Sequence, residues 1–188
     1  MIVIKNKNTR KIFNVILPYF LIPVIVILGA LFIDSKKQMI TSLLIVCLSL
    51  VLFISGIEQK NIGTRRIVIV SIMTALCIIG RFIPFFQPIT ALTIITAMYL
   101  GKESAFLVGA SSAFLSNFYF GQGPWTPFQM LAFGFIGLMA GHLSNYLIKS
   151  KIFLISYGVL SGIIFSLIMD VWSTIMYNGA FTLDFYIA

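Results

Sequence analysis

The chain has 188 residues, of which 60% are hydrophobic and only 10% charged, and its mean hydropathy is +1.06. Soluble domains carry about 25% charged and 45–50% apolar residues, so an ordinary water-soluble fold is excluded, as is a disordered chain. The net charge of +8 lies almost entirely in short connections between apolar runs, without the basic-aromatic face of a nucleic-acid groove, so it reads as membrane topology.

The first eleven residues include the cations Lys5, Lys7, Arg10 and Lys11. Residues 12–33 are then apolar apart from Asn14, Pro18, Pro23 and Gly29. A signal peptide has an apolar stretch of about 7–15 residues, so this longer run is expected to be a retained, proline-kinked span. Residues 39–57 form a second run, followed by Glu58, Lys60, Arg65 and Arg66. Further runs cover residues 67–80, 82–100, 104–120, 127–148 and 152–177. Residues 185–188 turn apolar again and then stop, which reads as the start of a truncated eighth span. Continuous apolar runs, instead of the alternation of barrel strands, make these segments helices. The expectation is an all-α integral membrane protein: a polytopic helical bundle of about seven spans of roughly 20 residues.

If each run crosses once and the N-terminus is inside, Lys5, Lys7, Arg10, Lys11, Lys60, Arg65, Arg66, Lys102, Lys149 and Lys151 fall inside. Lys36, Lys37 and Arg81 fall outside. This positive-inside bias sets the expected orientation. It makes the 81–87 segment and the uncharged 121–126 loop external.

No catalytic constellation is visible. His142 is the sole histidine, and Gly101-Lys102-Glu103-Ser104 lacks the glycine-rich loop that would cradle a phosphate. No metal site, cofactor or enzymatic activity is expected. Cys47 and Cys77 stand mid-run and read as small hydrophobes, not as a disulfide framework.

The polar residues that remain suggest binding. Arg81 follows a run of 14 residues, which rises about 21 Å against a hydrocarbon core of about 30 Å. It either snorkels to the headgroups or lines an external cavity. Asp170 shares a helical face with Gly162, Ser166, Ser173 and Tyr177, and an intramembrane carboxylate normally faces a bundle interior or a wet cavity. A cavity wall, with Arg81 as a partner, is the expected role, and a buried structural hydrogen bond is the alternative. The segment Asn117-Phe118-Tyr119-Phe120-Gly121-Gln122-Gly123-Pro124-Trp125-Thr126-Pro127 joins aromatics and amides to glycines and prolines. It forms a shaped loop suited to a flat, polar small molecule. Ala105, Gly109 and Ala113, with Gly134, Gly137 and Gly141 on the next run, give small-residue stripes for close helix packing or for partner docking.

From Gly80-Arg81 through Gly141 the chain resembles the substrate-binding S-components of energy-coupling factor (ECF) vitamin transporters. The stretch Ser116-Asn117-Phe118-Tyr119-Phe120-Gly121-Gln122-Gly123-Pro124-Trp125-Thr126-Pro127-Phe128-Gln129-Met130 is most similar to the group assigned to cobalamin or its precursor α-ribazole. The resemblance implies a six-helix core that captures a vitamin outside a bacterial plasma membrane. It also implies partners: a transmembrane coupling subunit and two cytosolic ATPases. The substrate-binding residues would be Arg81, Gln87, Asn117, Tyr119, Gln122, Trp125, Gln129 and Asp170. The family's Ala-xxx-Ala docking pattern falls on Ser71-Ile72-Met73-Thr74-Ala75, where Ser71 replaces the first alanine. Residues 1–63 would be an N-terminal two-helix hairpin and residues 64–188 the core without its last helix. The rival functions are a structural or assembly membrane subunit, a standalone facilitator, and an S-component for a different vitamin.

Overall fold

The computed structural model describes residues 16–30, 40–49, 51, 64–84 and 87–178, and every regular element among them is helical. A π-helical turn, Leu17–Leu21, runs into helix α1, Ile22–Ala30. Pro18 and Pro23 supply no backbone N–H there, and the Ile22 N–H bonds back to the Leu17 carbonyl, which widens the turn. Helix α2 is Ile40–Ser49. The family of longer elements follows: α3, Thr64–Gly80; α4, Ile89–Leu100; α5, Lys102–Phe120; α6, Thr126–His142; the short α7, Ser144–Lys149; and α8, Lys151–Asn178.

Two of the expected runs are divided differently. The run over 82–100 is helical only from Ile89: residues 82–84 form turns and bends, and Pro88 stands at the N-cap of the helix. The run over 127–148 breaks at Leu143, which leaves helical geometry at φ −91° and ψ 4°. Among the described residues one helix, Lys151–Ile175, is long and apolar enough to cross a membrane by itself. Helix α4 has 12 residues and rises only about 18 Å, so helix length does not establish seven crossings. The expected eighth span at 185–188 lies outside the described residues.

Helix α5 is the centre of the bundle. Its residues 104–110 form an unbroken buried stretch, and it packs against α3, α4 and α6. Gly101 joins α4 to α5 in a single residue at φ 88° and ψ 170°, a backbone region that side chains with a Cβ avoid. The small-residue stripes meet inside the bundle. A Cβ added at Gly109 would stand 2.7 Å from the Phe133 carbonyl oxygen, and one at Gly137 would stand 2.8 Å from Thr93 and 2.9 Å from the Ala105 backbone. Close packing of α5 on α6 therefore uses these glycines. Helix α8 packs mainly on α6, burying Tyr157, Ser161 and Thr174, and the Tyr157 hydroxyl donates to the Ile136 carbonyl at 2.7 Å. Cys47 and Cys77 are both free thiols.

Helices α3 and α5 run parallel, so the bundle has an Arg66 end and an Arg81 end. At the first, Arg66 is 1% exposed. Its Nε donates to Ser104 at 2.8 Å, and its Nη2 donates to the Leu100 carbonyl and to Ser104. A cation on the last carbonyls of α4 is a favourable C-terminal cap. Charge counting assigns Arg66 to the inside end of α3, and the structure buries its side chain there as a fastening between three helices.

Candidate functional site

The Arg81 end gathers the chain's polar side chains. Gly80 must lie against Pro88 for the 81–88 connection to turn back, since a Cβ at Gly80 would come within 2.3 Å of the proline ring. This brings Arg81 over the end of α5. Its Nη1 donates to the Asn117 side-chain oxygen at 3.0 Å and to the Ser116 hydroxyl, while its guanidinium carbon sits 4.6 Å from the Phe120 ring centroid. The guanidinium is a cation at neutral pH.

Asn117 is 1% exposed and connects three elements. Its amide nitrogen donates to the Thr126 hydroxyl at 3.0 Å and to the Gln129 side-chain oxygen at 2.8 Å, while its oxygen accepts from Arg81. One buried amide thus joins the turn after α3, the last turn of α5 and the first turn of α6. The 121–126 loop is shaped around this junction. Gly121 ends α5 at φ 106°, its N–H bonded to the Asn117 carbonyl at 2.9 Å. The Gln122 amide folds back to the Phe114 carbonyl at 2.8 Å. Thr126 closes the loop through its N–H to the Gly123 carbonyl at 3.0 Å, and its hydroxyl accepts from the Gly123 N–H at 3.3 Å. The Trp125 indole lies so close over Gly123 that a Cβ there would come within 2.3 Å of the ring.

Of the residues expected to bind substrate, Arg81, Asn117, Gln122, Trp125 and Gln129 are brought to this one junction. Tyr119 and Gln87 are exposed at its edge, and Tyr119 packs on Phe82 at 4.5 Å between ring centroids. Asp170 is placed elsewhere. It stands on the exposed side of α8 with Gly162 and Ser166, because that helix turns Tyr157, Ser161 and Thr174 to the bundle. Arg81 is held by Ser116, Asn117 and Phe120, not by the carboxylate expected to pair with it. Ser116, Thr126 and Trp172 belong to the site although the sequence did not single them out. Ser116 and Thr126 flank residues that it did. Trp172 meets Trp125 edge to face, and nothing local in the sequence signals that contact.

The arrangement presents a cation, amides and half-buried indoles around a glycine-shaped loop. Such groups recognise a planar ring with polar substituents. Among the described residues no group of three His, Cys, Asp or Glu side chains is placed to hold a metal ion.

A second feature lies along α3. Ser71 and Ala75 are both exposed. They border an open groove of about 320 Å³ lined also by Val70, Thr74 and Ile78 of α3 and by Leu107, Ser111 and Leu115 of α5. The Ser71 and Thr74 hydroxyls bond back to the Ile67 and Val70 carbonyls, so the α3 wall of the groove is effectively apolar.

Residues 61–187 match the family model for the S component of ECF-type riboflavin transporters. The chain belongs to this S-component family. It is therefore a transport subunit of a bacterial plasma membrane, from a family that binds a small-molecule vitamin and works with the other components of an ECF transporter. No curated protein and no solved structure matches this S-component. The matched segment takes in both the Arg81 junction and the α3–α5 groove.

Proposed function

We propose that this S-component captures a planar nitrogen heterocycle bearing hydroxyl groups at the Arg81 end, with riboflavin as the first candidate. The observation that carries this reading is the Arg81–Asn117–Gln129 junction beside the Trp125 loop, inside the segment that matches the riboflavin-type family. Flat rings stack on indoles, while ring carbonyls and a polyol side chain suit arginine and amide partners. The similarity of residues 116–130 to the cobalamin and α-ribazole group makes α-ribazole the second candidate. Its benzimidazole and ribose offer the same two kinds of surface.

In this reading the Arg81 end faces outward and the N-terminus lies inside, as the distribution of lysines and arginines favours. Residues 1–63 are an addition to the core, of which the described α1 packs against α6. The groove beside Ser71 and Ala75 receives the transmembrane coupling subunit, itself driven by two cytosolic ATPases. Small residues on α3 allow a partner helix to approach closely.

The test is a fluorescence titration of riboflavin with the purified chain, with α-ribazole and cobalamin as competitors. Saturable quenching that α-ribazole and cobalamin leave unchanged assigns riboflavin. Displacement of bound riboflavin by either one at a concentration below that of the riboflavin present moves the assignment to the second candidate. No binding of any of the three ends the capture reading.

A further inference from the structure

Helices α3 and α5 are fastened to each other by an arginine at each end, and an open groove runs along their exposed side between the fastenings. Arg66 grips Ser104 at one end, and Arg81 grips Ser116 and Asn117 at the other. Fifteen residues separate the two arginines, against 12 or 13 between their partners on α5. At about 1.5 Å per residue the α3 side is longer by roughly 4 Å. Both helices rise equally per residue and keep one register, with lining residues stepping by four at 70, 74 and 78 of α3 and at 107, 111 and 115 of α5, so the difference is taken up by the reach of the arginine side chains. The 320 Å³ groove opens between the two fastenings, along residues 70–78 of α3 and 107–115 of α5.

We propose that Arg81 is a positioning residue that couples occupancy of the vitamin site to the width of the α3–α5 groove. This inference rests on the capture reading. The Arg81 guanidinium and the Asn117 amide are the polar groups that a ligand at the junction would engage, and they also hold α3 to α5. A ligand oxygen that accepts from Arg81, or a ligand donor that takes the Asn117 oxygen, competes directly with the fastening. The Arg66 fastening lies at the far end of α3 and stays in place. Loosening one end of a helix pinned at the other changes the angle of α3, and with it the separation of Ala75 from Ser111 and Leu115. Such coupling requires the ligand to make different contacts in the two arrangements, and competition for one guanidinium supplies that difference.

The experiment places nitroxide labels at Ala75→Cys and Leu115→Cys in the full chain carrying Cys47→Ser and Cys77→Ser. Distance distributions are recorded without and with saturating riboflavin, and binding is read by fluorescence in the same samples. Riboflavin is expected to shift the distribution in this background. It is expected to bind at higher concentration without shifting the distribution once Arg81→Gln is added, and to give a smaller shift with Ser116→Ala. Binding with no shift in the background protein overturns the coupling and leaves capture intact, as does a full shift in Arg81→Gln. If Arg81→Gln does not bind riboflavin, an undiminished shift in Ser116→Ala overturns the coupling. Absence of riboflavin binding to the background protein overturns riboflavin capture, and the coupling with it.

Discussion

The indoles of Trp125 and Trp172 meet edge to face, with ring centroids 5.9 Å apart and planes at 84°. One lies in the loop before α6 and the other near the end of α8, so the pair ties the outermost helix to the candidate site. Edge-to-face aromatic pairs are worth about 0.5–1.5 kcal/mol beyond the area they bury.

The contact separates two roles for Trp125. If its indole also stacks on the ligand, Trp125→Ala should weaken riboflavin binding about tenfold or more, equivalent to ~1.4 kcal/mol. Trp172→Ala removes the same aromatic pair and leaves the Trp125 ring in the loop, so its effect on affinity should be clearly smaller. Calorimetric or fluorescence titration of both variants decides this. Equal losses would make Trp125 a packing residue and remove its stacking role.

Arg66 predicts a different outcome. Its side chain is buried and bonded to Ser104 and the Leu100 carbonyl, well away from the Arg81 junction. Arg66→Met keeps much of the volume but strips the charged donors, and hydrogen bonds to charged groups contribute about 1.5–3 kcal/mol. The variant should lose stability on that scale in thermal unfolding of the detergent-solubilised protein. Riboflavin affinity of the fraction that remains folded should be unchanged.

The legible and illegible parts of this fold divide along the range of the interactions. Apolar runs gave the helices because a continuous hydrophobic stretch is a local property. The glycine stripes were readable because a spacing of three or four residues fixes a shared face, although only the structure shows that Gly109 meets the Phe133 backbone. The 121–126 loop was readable from its glycines and prolines. The fastening role of Arg66 was not legible, because counting charges cannot reveal a Ser104 partner that lies 38 residues away. Asp170 shows the same limit. Periodicity correctly groups it with Gly162 and Ser166, but it carries no information on which face of α8 turns inward, and Tyr157, Ser161 and Thr174 occupy that place.

The glycines allow a contrast of sign. In a helix, alanine is favoured over glycine by about 1 kcal/mol. At Gly158 an added Cβ meets nothing within 4 Å, so Gly158→Ala should be neutral or stabilising by up to that amount. At Gly109 the same methyl would press on the Phe133 backbone at 2.7 Å, and overpacking of this kind costs about 1–3 kcal/mol. Gly109→Ala should therefore lower the thermal midpoint while Gly158→Ala does not. Parallel shifts in the two variants would show that close α5–α6 packing does not limit stability.

Orientation can be checked at Gln87, which is exposed beside Pro88 at the Arg81 end. With Cys47→Ser in the background, Gln87→Cys should react with a membrane-impermeant maleimide added to intact cells. Reaction only after lysis would place the Arg81 end inside and reverse the proposed direction of capture.

The docking face yields the last prediction. Ser71 and Ala75 are one helical turn apart, both exposed, and they edge the apolar groove between α3 and α5. Small residues at that spacing let a partner helix approach closely, and a tryptophan at either position fills the space such a helix would enter. Neither residue touches the Arg81 junction, which lies at the end of α3 and is built from Arg81, Asn117 and Gln129. Ser71→Trp and Ala75→Trp should therefore still bind riboflavin, with affinity changed by no more than the coupling between groove and junction allows, about tenfold or ~1.4 kcal/mol. Both should lose most ATP-dependent uptake in vesicles containing the coupling subunit and its ATPases. Co-purification with the coupling subunit should fall in the same variants, which separates failed docking from failed release. Normal uptake and normal co-purification in both would place the docking surface on another face of the bundle.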